Sequence, residues 1–132
     1  MSAPLTAVVV VTHGRAGADM LDAAQQILHV QLPRVTAVGI NAEDDRSAVD
    51  TKICQAVQEL GVDSWEDVLF LVDLVGSTPA RLCCGKCVDK GHVVTGLNMP
   101  MLVKLATADR SRRPAALGSD LIATGTKSIH AE

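Results

Sequence analysis

Two ionisable residues stand where chemistry is usually done. Ala7-Val8-Val9-Val10-Val11-Thr12 leads into His13-Gly14, and Val68-Leu69-Phe70-Leu71-Val72 leads into Asp73. Apolar runs of this kind are strands buried on both faces, and in a parallel α/β sheet ligands gather at the carboxyl ends of the strands. If the two strands are neighbours, His13 and Asp73 meet there. An imidazole with one nitrogen held by a carboxylate has a fixed tautomer and acts as a tuned nucleophile or base. A carboxylate that follows five apolar residues also needs a partner to offset its lost hydration. A little further on, Gly76-Ser77-Thr78-Pro79 places a capping threonine before a proline, the pattern of a helix start. Unpaired N–H groups and the helix dipole favour an anion at such a start. Imidazole, orienting carboxylate and anion cradle together suit a histidine that carries a phosphoryl group. Serine hydrolysis fits less well, because no serine sits in a G-x-S-x-G elbow.

The elements that must position these residues are readable from periodicity. Thr6 to Thr12 predicts the first strand, followed by a turn at Gly14-Arg15-Ala16-Gly17. Met20, Ala23, Ala24, Ile27 and Leu28 recur at helical spacing, and Pro33 closes that helix. Val35 to Ile40 predicts a second strand. Asn41 to Asp45 is a polar loop whose carboxylates suit a helix start, and Val49, Ile53, Val57 and Leu60 form the next apolar stripe, stopped by Gly61. Asp67 to Val72 is the third strand, and the helix opened by Thr78-Pro79 should run through Leu82, Cys83 and Cys87 to about Lys90. His92 to Leu97 is the fourth strand. Asn98-Met99-Pro100 opens a helix through Leu102, Val103, Leu105 and Ala106, Asp109 to Pro114 is a charged connection, and Ala115 to Thr124 is the last helix. Lys127 to Ala131 reads as an edge strand. Strands alternating with helices imply right-handed crossovers and a parallel sheet covered on both faces, a three-layer α/β fold in one domain over residues 1–132.

Composition narrows the function. With 48% apolar but only 2% aromatic residues, the core must be built from Val, Leu, Ile and Ala, and the base-stacking platforms of nucleic-acid modules are missing. A net charge of −3 provides no basic face for a phosphate backbone. No apolar run approaches the roughly 20 residues of a membrane span, and Met1-Ser2-Ala3-Pro4 lacks the basic region of a secretory signal, so a cytoplasmic protein that does not itself cross a membrane is expected. Cys83, Cys84 and Cys87 invite a metal reading, but the only other cysteine, Cys54, lies in a separate predicted helix. Cys83 and Cys87 share one helical face and are expected to pack in the core. Trp65 is expected to be a packing anchor, and Arg15 and Arg81 to be solvated charges.

The residues also carry a resemblance. Val10-Val11-Thr12-His13-Gly14, then Val68 to Asp73 through Gly76 and Thr78-Pro79, then Val94-Thr95-Gly96-Leu97-Asn98-Met99-Pro100-Met101-Leu102 resemble, in order and separation, the IIA domain of the mannose family of the phosphoenolpyruvate-dependent sugar phosphotransferase system. That resemblance implies four parallel strands in the order 2-1-3-4, with a C-terminal antiparallel strand exchanged between two subunits of a homodimer. It implies that His13 accepts a phosphoryl group from the histidine-containing phosphocarrier protein and passes it to a IIB protein, with Asp73 orienting the ring through Nδ1. Gly14, Gly76, Ser77 and Thr78 are the expected phosphoryl-binding positions; no cofactor or metal is required. Ser77 departs from the pair of glycines frequent before Ser/Thr-Pro in the family, a strained choice if that position needs positive φ. The phosphodonor subunit of a dihydroxyacetone kinase shares this pattern and is the alternative, although Gly96-Leu97-Asn98-Met99-Pro100 favours the sugar system. A regulatory module read out through its phosphorylation state is a third reading.

Overall fold

The computed structural model describes residues 4–74 and 92–132. Among them, β1 (Ala7–His13), β2 (Val35–Ile40), β3 (Val68–Val72) and β4 (His92–Thr95) form one parallel sheet in the order β2-β1-β3-β4. This is the order the family resemblance implies. The two inner strands explain the two unbroken apolar runs, because every residue of β3 and every residue of β1 except His13 is buried. The outer strands β2 and β4 are only partly buried, so their composition is more mixed.

Among the described residues, four helices cover the sheet: α1 (Ala16–Leu28), α2 (Arg46–Glu59), α3 (Met99–Lys104) and α4 (Pro114–Lys127). Strand alternation sends Val8 and Val10 of β1 into a cluster with Leu21, Met101, Leu102, Leu117 and Leu121, and sends Val9 and Val11 into another with Val49, Ile53, Val57 and Phe70. Hence α1, α3 and α4 lie on one face and α2 on the other, as three layers. Trp65 packs on Phe70 with ring centroids 5.4 Å apart, the anchoring role expected of it. Helix starts follow their local chemistry. Asp45 Oδ1 accepts from the Ala48 N–H at 2.8 Å to cap α2, and Asn98 Oδ1 accepts from the Met101 N–H at 3.3 Å to cap α3.

Several boundaries differ from expectation. The turn read at residues 14–17 is shorter, and α1 already contains Ala16 and Gly17. Gly17 belongs to the helix because a Cβ there would meet Val10 Cγ1 at 2.8 Å and Thr12 at 2.9 Å; its role is close helix-to-strand packing, not turning. β3 starts at Val68, since Trp65–Asp67 form a 3-10 turn capped by Ser64. β4 stops at Thr95, where Gly96 adopts φ +83°, although the Leu97 N–H still reaches the Val72 carbonyl at 3.0 Å. α4 runs on to Lys127, and residues 128–132 form no strand within the single chain. A short, polar edge segment needs a neighbouring strand to satisfy its backbone, and none is offered to it among the described residues. The helix expected from Thr78 to Lys90, with Arg81, Cys83, Cys84 and Cys87, lies outside the described residues.

Candidate functional site

β1 and β3 lie side by side in parallel register, with Val11 opposite Val72, so the residues that follow bring His13 and Asp73 to the same end of the sheet. His13 Nδ1 is 2.8 Å from Asp73 Oδ2, and the His13 backbone N–H donates to the same oxygen at 3.0 Å. The Leu74 N–H donates to Asp73 Oδ1 at 2.9 Å. One carboxylate therefore fixes both the main chain and the ring of His13. When Nδ1 carries the proton and donates it to Asp73, the Nε2 lone pair is left for chemistry. Access is built in, since the His13 side chain is 53% exposed while that of Asp73 is 24% exposed. Burial pushes the Asp73 carboxyl up, but the His13 N–H and ring and the Leu74 N–H together outweigh it and hold the carboxyl below its ordinary range. Asp73 is a standing negative charge beside the ring at neutral pH.

The backbone beneath the pair is set by Gly14, an expected phosphoryl-binding position, together with Gly39, Lys52 and Thr12, to which the sequence assigned no part in the site. Gly14 takes φ +54°, and its N–H donates to the Ile40 carbonyl at 2.8 Å. That donor is committed to β2, so the visible contribution of Gly14 is the turn itself. Gly39 of β2 faces this turn so closely that a Cβ would lie 2.3 Å from the Gly14 oxygen. Lys52 Nζ donates to the Gly39 carbonyl at 3.1 Å and to Asp44 Oδ2 at 2.6 Å, and the same oxygen accepts from the Asn41 N–H at 2.8 Å. Thr12, fully buried, accepts from the Gly17 N–H through Oγ1 at 2.7 Å and so caps α1, a task that Arg15 at the cap position does not perform. A polar residue closing an otherwise apolar buried run was the one sequence signal for that cap. Arg15 faces solvent and lies 3.7 Å from Asp19.

Gly76, Ser77 and Thr78 lie outside the described residues. Among the described residues, no group of three or more His, Cys, Asp or Glu side chains is placed to hold a metal ion. No helix among them is long and apolar enough to cross a membrane.

A family model described as "PTS system fructose IIA component" matches residues 7–120. The PTS system mannose-specific EIIAB component of Escherichia coli K12 is 32% identical over 104 residues, 77% of this chain and 31% of that protein; the Shigella flexneri counterpart gives the same figures. The chain thus spans about a third of the length of the curated relatives it matches. Among solved structures, the mannose/sorbose specific IIA subunit of Enterococcus faecalis is 26% identical with a TM-score of 0.80, covering 99% of this chain and 96% of that one. The PTS IIA protein associated with the fucose utilization operon of Streptococcus pneumoniae is 22% identical with a TM-score of 0.79 and the same coverage, a likeness of fold. Since the matched span runs from the first residue of β1 into α4 and includes both His13 and Asp73, the chain belongs to the mannose-family IIA components of the phosphotransferase system.

Proposed function

We propose that this domain, residues 1–132, is a cytoplasmic phosphocarrier in sugar uptake, accepting a phosphoryl group on His13 from the histidine-containing phosphocarrier protein and passing it to a IIB protein. The observation that carries this reading is the 2.8 Å contact between Nδ1 and Asp73 on a ring that remains half exposed. In the forward step the Nε2 lone pair attacks phosphorus, the P–N bond to the donor's histidine breaks, and that histidine regains its lone pair. Nδ1 keeps its proton throughout. The positive charge gathering on the His13 ring is met by Asp73, which is electrostatic stabilisation without movement of the protein. Handing the group to the next partner reverses these roles.

Gly76, Ser77 and Thr78 are assigned to the phosphoryl oxygens on the strength of their sequence pattern. The start of α1, two residues after Gly14, adds the favourable end of a helix dipole. Homodimer formation through the C-terminal segment is supported by Ile129, 77% exposed beyond the end of α4. Removal of residues 129–132 is then expected to give a monomer in sedimentation equilibrium, and an unchanged mass would place the contact elsewhere.

Incubation with phosphoenolpyruvate, enzyme I and the phosphocarrier protein tests the central reading. An acid-labile, base-stable phosphoryl adduct on His13 is expected, discharged on addition of a IIB protein. Full labelling of His13→Ala would overturn the assignment.

A further inference from the structure

At the opposite end of the sheet, the amino ends of β1 and β2 border a cavity of about 880 Å³ whose walls include Leu5, Val30, Leu32, Pro33 and Leu105. Arg110 lines it and is only 6% exposed. Its guanidinium meets neutral acceptors alone: one terminal nitrogen donates to the carbonyls of Thr6 at 2.6 Å, Pro33 at 3.0 Å and Arg34 at 3.4 Å. Its Nε–H is buried with no acceptor. A second guanidinium makes matters worse. Arg34 lines an adjoining cleft of about 330 Å³ and donates only to the carbonyls of Leu5 and Leu60, each at 2.9 Å. Asp109, next in sequence to Arg110, also lines the cavity, but its Oδ1 accepts from the N–H and hydroxyl of Ser111 and pairs with neither guanidinium.

A buried charge ordinarily has a counter-charge, and a buried donor an acceptor. Here two like charges converge on one end of the sheet, with no ion pair to either among the described residues. The cavity beside them is of the size that holds small ligands and is walled largely by apolar side chains. We infer that this cavity binds a small organic anion, its carboxylate or phosphate head drawn to Arg110 and its apolar body set against Leu32, Pro33 and Leu105. Arg34 adds to the positive potential and contributes no contact of its own. The site lies a full strand length from His13, roughly 20 Å for a seven-residue strand, and is independent of phosphoryl transfer.

The Arg110 Nε–H resonance of ¹⁵N-labelled full chain is the direct probe, titrated with hexanoate, hexyl phosphate, inorganic phosphate and neutral hexanol. Hexanoate or hexyl phosphate is expected to shift that resonance saturably, while hexanol leaves it in place and inorganic phosphate binds at least tenfold more weakly than hexyl phosphate. Ala106→Phe, at an exposed cavity position, should weaken organic-anion binding by roughly tenfold while Arg110 and the fold stay intact, and Arg110→Met should weaken it at least as much. Phosphorylation of His13 should be unchanged in Ala106→Phe. The inference fails if no organic anion shifts the resonance, if Ala106→Phe binds as tightly as the parent, or if inorganic phosphate alone matches hexyl phosphate, which would mark an adventitious ion only.

Discussion

Both ends of this sheet set an ionic side chain against the main chain, and they do so in opposite ways. At the carboxyl end, Asp73 is ionised, partly exposed and answered by the ring and N–H of His13 and the N–H of Leu74. At the amino end, Arg110 is buried deeper and answered only by carbonyls, with one donor left over. The difference separates a group whose charge is already answered from one whose charge is not. A charge that must steady a reacting ring has its geometry fixed by that ring and by the main chain beside it. A charge that ties three distant segments together through carbonyls gives rigidity, and leaves its field uncancelled.

Substitutions at the carboxyl end should change transfer far more than stability. His13→Ala is expected to abolish phosphoryl labelling while the thermal midpoint barely moves; retained labelling would break the comparison at once. Asp73→Asn should keep the fold and slow transfer by roughly 10–100-fold, because an amide still hydrogen-bonds but cannot offset the charge on the ring. The pH dependence of that pair has a definite sign. Since the folded Asp73 carboxyl lies below its ordinary range, its stabilising contribution is complete above that range and is lost as pH falls through the lowered value, so the stability gap between parent and Asp73→Asn should close only in acid. A gap that widened on acidification would reverse the assignment of charge.

Two further changes sharpen the contrast by acting on the backbone beneath His13. Gly39→Ala drives a methyl group into the Gly14 carbonyl and should cost roughly 1–3 kcal/mol in urea denaturation, together with a measurable loss of transfer rate as the turn shifts. Thr12→Val leaves the Gly17 N–H without its cap and should cost about 1–2 kcal/mol. Its effect on transfer should be the smallest of the four, because the His13–Asp73 contact does not pass through the Thr12 hydroxyl. A larger transfer defect in Thr12→Val than in Asp73→Asn would show that the start of α1 matters more to the phosphoryl group than the carboxylate does.

The amino-acid sequence by itself determined the class of fold and the central pair. Two apolar runs, each ended by one ionisable residue, read as strands buried on both faces with polar groups at their carboxyl ends, and helical stripes between the strands imply parallel crossovers, while the adjacency of the two strands came from the family resemblance. Capping chemistry was equally local, so Asn98 and the carboxylates of the loop from Asn41 to Asp45 were legible as helix starts. What the tertiary structure decided are matters of approach between distant segments. Gly39 has no signature of its own, because its need to be glycine comes from a carbonyl 25 positions away in the chain. Asp44 lies in a loop of helix-starting carboxylates yet pairs with Lys52 across the loop, while only Asp45 caps. Arg110, in a connection that reads only as charged, is buried because Thr6, Pro33 and Arg34 present their carbonyls to it together. Periodicity records which face of an element meets the core, whereas close approach and convergent carbonyls exist only once the strands have been laid side by side.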